Sequence, residues 1–419
     1  MLDQILATRS LLAEHDLSFL ADTPVLYHCN HFNLFLDQTI DDALGTELGT
    51  RLRTVAARDA AHQLLATLNR KLALLTPPER LELATALFKA MGHGKLEILT
   101  QPSGGTARGS WLHYGFAWHE KYGAAVRRRS PADALAAGYV AAATEVAHGL
   151  PRESVHCTEN HCIAMRSPNC EFTVTPGKAD APRLDVTPLQ VRTHLKPSFT
   201  GQHEERIAGI AAGLRDFAGG VAGDDRGLVE AFGVLVTLHL GTYYNRISYD
   251  SWKHIHKTAP ASLPVYEALL RESGHVCVFN TFGGILLSPE WEGMVGKLQG
   301  DATEIVTGCL AIGRALGFGH WTLQELVAGK RLVIKTPSTY ESAYWTVREK
   351  PASQGMCFFL QGAALAIMQL QQRVAWTQSP KLTQDFYNDL FRKGVPWRVR
   401  ETSCISKGDA SCEVVVEAT

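Results

Sequence analysis

The sequence lacks a strong charge of either sign. Its 41 lysines and arginines are balanced by 42 aspartates and glutamates, which leaves a formal net charge of −1. Proteins that bind nucleic acids or anionic lipids commonly carry a basic excess, because phosphate groups attract lysine and arginine. We therefore expect no nucleic-acid partner.

Long hydrophobic runs are also missing. The longest apolar segment, residues 356–370, contains two glutamines and is shorter than a membrane-spanning helix. Residues 1–4 have neither the basic start nor the apolar stretch of a signal peptide. These features predict a cytoplasmic protein without a membrane span.

Three common catalytic motifs are absent. The chain has no Gly-x-Ser-x-Gly nucleophile elbow, no phosphate-binding P-loop and no Gly-x-Gly-x-x-Gly dinucleotide fingerprint. The composition, 45% hydrophobic and 20% charged over 419 residues, is that of a globular protein with two cores. The sequence thus offers no familiar enzyme signature.

Cysteine, in contrast, is present nine times and is clustered. The spacing Glu159-x2-Cys162-x7-Cys170 recurs without change as Glu401-x2-Cys404-x7-Cys412. In a reducing compartment such clusters indicate metal ligands before disulfides. Two thiolates on a hairpin-like turn and a carboxylate shortly upstream predict three ligands of one tetrahedral ion.

A fourth ligand is expected at the start of an Ala-rich helix. Cys357 stands five residues before Gly362, and Asp133 stands five residues before Gly138. The second group then has three thiolates, which favours zinc over magnesium or calcium. In the first group, His156, Cys157 and His161 remain alternatives to Asp133. The competing interpretation is that both cysteine pairs are buried apolar thiols.

The repeated spacing predicts two tandem units. We expect a first domain at 1–176, a linker and helical segment at 177–262, and a second domain at 263–419. Each unit is expected to have an α+β pattern of helices, antiparallel strands, an Ala-rich helix and a final strand pair. Weaker matches support the repeat: 28–33 with 275–280, 94–99 with 329–334, and the Ala-rich segments 135–146 with 358–370. Residues 204–217 and 227–245 have helical periodicity, and 385–391 predicts an amphipathic helix.

The cysteine motifs carry a family resemblance. The Glu-Cys-Cys spacing, Cys357 before Gly362, and the terminal residues 404–415 resemble the 4-vinyl reductase domain. This family occurs in a bacteriochlorophyll biosynthesis protein and in the sensor domains of aromatic-responsive transcription activators. The resemblance implies two mixed α/β sandwich domains, an apolar pocket beside the zinc hairpin for a small hydrophobic or aromatic ligand, and a homodimer.

The sequence departs from the family pattern in the first unit. Asp133 replaces the expected cysteine, and Pro168-Asn169 replaces a Gly-Asp turn. No ATPase or DNA-binding module follows either unit, so an activator of the familiar layout is not expected.

The predicted ligand-binding residues are aromatic or histidine side chains from two aromatic clusters: Trp111, His113, Trp118, Trp321 and Tyr344.

Three functions remain open. The first is a zinc-containing sensor or carrier of a small hydrophobic or aromatic molecule. The alternative is a metal-dependent enzyme of specialised or tetrapyrrole metabolism whose active site lies in the first domain. A second metal site there would require the histidine-rich motifs at 28–31 and 156–161 to converge, although local hydrogen bonding explains such histidines equally well. An assembly subunit is a third reading, because no catalytic machinery is evident.

Overall fold

The structure is a computed structural model that describes residues 1–123, 126–177, 191, 195–219, 222–392 and 396–419. It contains helices and three antiparallel sheets, so the predicted α+β class is confirmed. Most of the segment 177–182, at the start of the predicted linker, lies outside the described residues. None of the described helices combines the length and apolar character that a membrane crossing requires.

The first part of the chain begins with a short helix and three strands and continues through alternating helices and hairpins. Its elements are α1 Leu2–Leu6, β1 Arg9–Leu12, β2 Leu17–Leu20, β3 Thr23–Cys29, α2 Asn30–Leu44, α3 Thr46–Lys71, α4 Pro77–Ala90, β4 Leu96–Gln101, β5 Gly104–Gly109, α5 His113–Tyr122, α6 Ala134–His148, β6 Val155–His161 and β7 Cys170–Pro176.

The second part repeats this order with additional helices. Its elements are α7 Glu204–Gly219, β8 Val229–Ala231, β9 Val234–Leu240, α8 Gly241–Thr258, α9 Leu263–Cys277, α10 Gly283–Leu286, α11 Pro289–Met294, α12 Ala302–Ala315, β10 Thr322–Val327, β11 Arg331–Thr336, α13 Tyr340–Arg348, α14 Phe358–Arg373, α15 Gln384–Arg392, β12 Trp397–Ser403 and β13 Cys412–Ala418. A π-helical stretch, Val278–Phe282, joins α9 to α10.

The repeat is visible in the sheets. One four-stranded sheet has the order β4-β5-β7-β6 and the other has the order β10-β11-β13-β12. In both, the last two strands flank a cysteine-bearing turn and an Ala-rich helix, α6 or α14, packs against them. The predicted Ala-rich helices and the amphipathic helix α15 are confirmed.

The repeated element order begins upstream of the second cysteine unit. The hairpin β8-β9 followed by α8 corresponds to β2-β3 followed by α2. The helical prediction for 227–245 was therefore wrong over the two strands, although helices α7 and α8 flank them. Phe232 and Gly233, both at positive φ, form the tight turn; Phe-Gly is not a recognised signal for such a turn, which usually contains Asn-Gly.

Two short sequence matches fall on elements that do not correspond. Residues 28–33 span the junction of β3 and α2, whereas 275–280 lie at the end of α9 and in the π-helical stretch. Residues 94–99 run into β4, whereas 329–334 run into β11, whose counterpart is β5. These matches were wrong because six residues of similar type recur by chance more easily than a fixed ligand spacing does.

The remaining sheet joins the two halves of the chain. Its order is β1-β2-β3-β9-β8, and β3 pairs antiparallel with β9, with Tyr27 opposite Leu238. Arg246 of α8 adds a buried ion pair with Asp59 of α3 at 3.0 Å. Each half therefore contributes strands and charges to one shared interior.

Candidate metal centres and neighbouring clefts

The structure brings the four predicted ligands of the second unit together. Cys357 occupies the N-cap position of α14, Glu401 lies on β12, and Cys404 and Cys412 flank the turn between β12 and β13. The Sγ atom of Cys357 lies 3.7 Å from that of Cys404 and 3.6 Å from that of Cys412, and the latter two are 3.7 Å apart. We call this group the second centre.

Glu401 holds the second centre to the helix. Its Oε2 accepts hydrogen bonds from the Cys357 backbone N–H at 3.2 Å and from Gln361 Nε2 at 3.0 Å. Its Oε1 is buried and has no hydrogen-bond partner among the described residues. One carboxylate oxygen is thus fixed by the helix while the other remains available to a cation.

The first unit forms a corresponding group, the first centre. Asp133 caps α6, Glu159 lies on β6, and Cys162 and Cys170 flank the turn before β7. Asp133 Oδ2 lies 3.3 Å from the Cys170 sulfur and 3.6 Å from the Cys162 sulfur, and the sulfurs are 3.8 Å apart. The Asp133 carboxylate thus stands where Cys357 places its sulfur.

Glu159 has the same hydrogen-bonding role in the first centre as Glu401 has in the second. Its Oε2 accepts the Asp133 backbone N–H at 2.8 Å, and within the described ranges its buried Oε1 has no hydrogen-bond partner. The four donor atoms in each centre all lie within 4.8 Å of one another. A buried carboxylate oxygen without a hydrogen-bond partner lowers the stability of the folded state unless a positive group lies beside it, and such an oxygen is present in both centres.

The electrostatics of both centres also suit a cation. Burial raises the pKa of the Asp133, Glu159 and Glu401 carboxyls well above their usual range. A hydrogen bond from Cys170 lowers the pKa of the Cys162 thiol below its usual value. Without a cation the four acids in each centre share protons, whereas a divalent ion holds all four ionised. The residues therefore fit a divalent metal ion.

The predicted alternatives to Asp133 do not take part in the first centre. His156 and His161 are exposed on β6, and Cys157 is a buried thiol whose pKa burial raises. The described residues contain no potential metal group that includes a histidine. His28 instead stacks on Phe32 at 3.7 Å. The two histidine motifs therefore do not converge on a second metal site.

The five predicted ligand-binding residues are distributed between one groove and the core. Trp111 is 40% exposed and lines a groove of about 650 Å³ beside the turn of the first centre, together with Phe116 and residues of the turn itself. We call it the hairpin groove. The other four residues, His113, Trp118, Trp321 and Tyr344, are buried. Their place in a ligand site remains a prediction.

Sequence reasoning singled out His113 but missed the cluster of buried imidazoles to which it belongs, which includes His93 and, from β9 in the second part of the chain, His239. The rings of His93 and His239 are 4.8 Å apart, and His113 Nε2 lies 2.9 Å from Asn33 Nδ2. Burial lowers the pKa of His93 and of His113 to about 3. The counterpart of His93 is Phe318, since Gly92-His93-Gly94 and Gly317-Phe318-Gly319 both precede a hairpin; that match was a usable signal.

Comparisons with known proteins give little beyond this geometry. No protein-family model and no curated protein matches the chain. Among solved structures, it is similar to the phenol-responsive sensory domain of the transcription activator PoxR, determined with phenol. The identity is 17% over 42% of this chain and 88% of that chain, with a TM-score of 0.36. A likeness at this level carries no argument about function, and the 4-vinyl reductase resemblance remains a prediction.

Proposed function

We propose that this protein is a zinc-stabilised binding protein that holds a small hydrophobic or aromatic molecule, as a sensor or carrier. The observation that carries the proposal is the double occurrence of one four-donor arrangement, each with an unpaired buried glutamate oxygen. Buried thiols that serve only as apolar packing do not require such an oxygen beside them.

Zinc is the metal that the donor atoms suit best. The second centre offers three sulfurs and one carboxylate, and the first offers two sulfurs and two carboxylates. Thiolates select zinc over magnesium and calcium, and four protein ligands are typical of structural zinc sites. Bound zinc would tie the N-terminus of α6 or α14 to its hairpin and supply folding free energy.

The hairpin groove is the proposed place for the ligand. Trp111 and Phe116 meet edge to face there, with ring centroids 5.3 Å apart, and offer aromatic surface to a planar molecule. The groove borders Ile163 and Pro168, which belong to the turn of the first centre. Loss of metal from that centre would therefore alter one wall of the groove.

A binding role is favoured over the metal-dependent enzyme. Catalytic zinc sites usually keep one position open for water or substrate. Each centre here gathers four protein donors, so a bound ion would have a complete shell. We retain the expected homodimer as part of the proposal, and the mass of the purified protein in solution tests it.

Metal analysis tests the zinc proposal. We expect two zinc ions per purified chain, and we expect Cys404→Ser to lose one of them and to lower the melting temperature. Cys309→Ala is the matched control, because Cys309 is a buried thiol on α12 outside both centres. Unchanged zinc content in the Cys404 variant would exclude the second centre, and stoichiometric iron or copper would favour the enzyme.

Tryptophan fluorescence tests the ligand proposal. Phenol and naphthalene, titrated separately into the zinc-loaded chain, are expected to change the emission in a saturable way. Trp111→Ala is expected to abolish the change while zinc content stays at two. A saturable change that survives in the Trp111 variant would move the ligand site elsewhere in the protein.

A further inference from the structure

A second cleft, distinct in composition from the hairpin groove, lies between the two halves of the chain. Its volume is about 520 Å³, and it is open to solvent. The N-terminus of α2 and one face of α5 form one side, and the turn between β8 and β9 forms the other. We call it the inter-unit cleft.

The walls of the inter-unit cleft are aromatic. Phe116 comes from α5, Phe217 from α7 and Phe232 from the β8-β9 turn. The rings of Phe217 and Phe232 contact each other with centroids 5.3 Å apart, and Phe217 remains 38% exposed. Phe116 and Phe232 are partly buried, so one exposed and two half-buried phenyl rings from three elements surround the opening and offer surface to a ring or a cation.

One buried acceptor in the wall of the cleft is unsatisfied. Asn30, the first residue of α2, is 8% exposed and contributes to the wall. Its side-chain Oδ1 has no hydrogen-bond partner in the part of the chain that the structure describes. The corresponding first residue of α8 is Gly241, so this acceptor is particular to the first unit. A carbonyl oxygen of this kind requires an N–H or O–H donor.

The charge at the rim favours a cationic donor. Three carboxylates line the cleft, Glu120, Glu230 and Glu290, against one guanidinium, Arg226. Arg226 is engaged by Glu230 at 2.8 Å and also by Asp224 at 2.8 Å. The remaining negative charge of Glu120 and Glu290 attracts a positive group into an opening with apolar walls.

We propose that the inter-unit cleft binds a small aromatic ammonium ion. The aromatic ring of the ligand packs among Phe116, Phe217 and Phe232. Asn30 Oδ1 is buried, so the Asn30 side chain rotates toward the cleft to accept a hydrogen bond from the ammonium group. Glu120 and Glu290 stabilise the charge of that group. This site does not require the proposed zinc centres, and it shares Phe116 and Glu120 with the hairpin groove.

Calorimetric titration of the zinc-loaded full chain with 2-phenylethylammonium chloride tests the proposal. We expect saturable binding of one ion per chain. In the Trp111→Ala chain, whose hairpin groove is expected not to bind neutral aromatic molecules, we expect the neutral analogue 2-phenylethanol to bind at least tenfold more weakly than the ammonium ion. Glu290→Gln is expected to weaken binding and to reduce its dependence on salt, because an exposed carboxylate acts through a screened field. Equal affinity for the alcohol and the ammonium ion would overturn the proposal.

Asn30→Leu removes the acceptor at similar side-chain volume. We expect about a tenfold loss of affinity, the size of effect of one hydrogen bond to a charged group. Asn160→Leu, at an exposed asparagine on β6, is the matched control and should bind as the parent does. An unchanged affinity in the Asn30 variant overturns the assignment of this cleft.

Folding and metal content are read in the same samples. If Asn30→Leu does not fold, Phe232→Ala replaces it and is expected to weaken binding by a similar factor through loss of one aromatic wall. Ammonium binding with normal affinity in that variant overturns the proposal. Since zinc is counted separately, failure of the cleft and failure of the metal centres give different results.

Discussion

The two proposed zinc centres differ in the identity of one ligand. The carboxylate of Asp133 occupies the place that the sulfur of Cys357 occupies in the other half, with closely similar distances to its two cysteines. A carboxylate is a harder donor than a thiolate and binds zinc less strongly. The two ions are therefore expected to differ in how readily they leave.

The variant Asp133→Cys tests this difference. In the parent protein we expect a chelator to remove one zinc ion quickly from the first centre and the other slowly. With a third thiolate in the first centre, both ions are expected to leave slowly. Release is followed with a zinc-sensitive dye during incubation with excess chelator. Faster release from the variant would show that the carboxylate is the better ligand in this setting.

Residue identity was predictable where ligands are close in sequence. The grouping of the eight residues into two four-donor clusters could be predicted because the Glu-x2-Cys-x7-Cys spacing and the five-residue offset from Gly138 or Gly362 are local features. Their role as metal ligands remains a prediction. Burial of Trp321 and the unpaired oxygen of Asn30 depend on segments far away in the chain. No local pattern encodes those environments, so sequence reasoning had no access to them.

At the scale of elements, two glycines set how closely the helices approach. Gly138 of α6 faces the carbonyl oxygen of Thr54 on α3, and Gly362 of α14 faces the carbonyl oxygen of Arg271 on α9. A Cβ atom at either position would collide with that backbone oxygen. The two contacts are equivalent in the repeat, and each seats the helix whose N-terminus carries a metal-centre residue.

Replacing either glycine with alanine is expected to separate the helix pair. We expect Gly138→Ala and Gly362→Ala each to lower the free energy of unfolding by about 3 kcal/mol, because the obstacle is backbone and cannot rotate away. Urea unfolding followed by circular dichroism measures the change. Gly209→Ala is the control, since Gly209 is exposed on α7 and an added Cβ meets no atom of the described residues within 4 Å.

The control should change stability in the opposite direction. Alanine has a higher helix propensity than glycine, so Gly209→Ala is expected to stabilise the protein by about 0.5 to 1 kcal/mol. Equal effects at the three glycines would contradict the close-packing explanation.

Elements such as α6 and α14 were predictable from composition, whereas β8 and β9 were not, because their apolar residues also fit a helical period.

At the scale of the whole molecule, buried histidines govern the response to acid. Burial lowers the pKa of eight imidazoles among the described residues: to about 3 for His93 and His113, to about 4 for His31, His62 and His275, and below the usual value for His15, His28 and His239. The unfolded chain takes up these protons near pH 6.5. Their contribution to stability is therefore complete above pH 6.5 and is lost as the pH falls toward 4.

Buried carboxyls outside the two centres act in the opposite direction but are fewer. Burial raises the pKa of Asp37 to about 6, that of Glu145 to about 7 and that of Glu341 to about 8, and it also raises the pKa of Asp59 and Glu272, so these five carboxyls favour the folded state at acid pH. Eight imidazoles against five carboxyls leave an uptake of about three protons on unfolding near pH 5. We expect the urea midpoint to be steady from pH 7 to 8 and to fall steeply below 6.5.

Urea titrations between pH 5 and 8 at constant free zinc measure this dependence. His31→Gln is expected to make the fall of the urea midpoint below pH 6.5 less steep, because unfolding of the variant takes up one proton fewer. His156→Gln, at an exposed position on β6, should leave that fall unchanged. A urea midpoint that rises as the pH is lowered from 8 to 5 would show that the carboxyls outweigh the imidazoles.

The pairing of β3 with β9 also bears on how the chain is made. During synthesis β3 leaves the ribosome about two hundred residues before its partner strand exists. For that interval its hydrogen-bonding edge is unpaired, which is the condition under which strands associate with other chains. We therefore expect the nascent chain to be most prone to association with other chains until its second half has been synthesised.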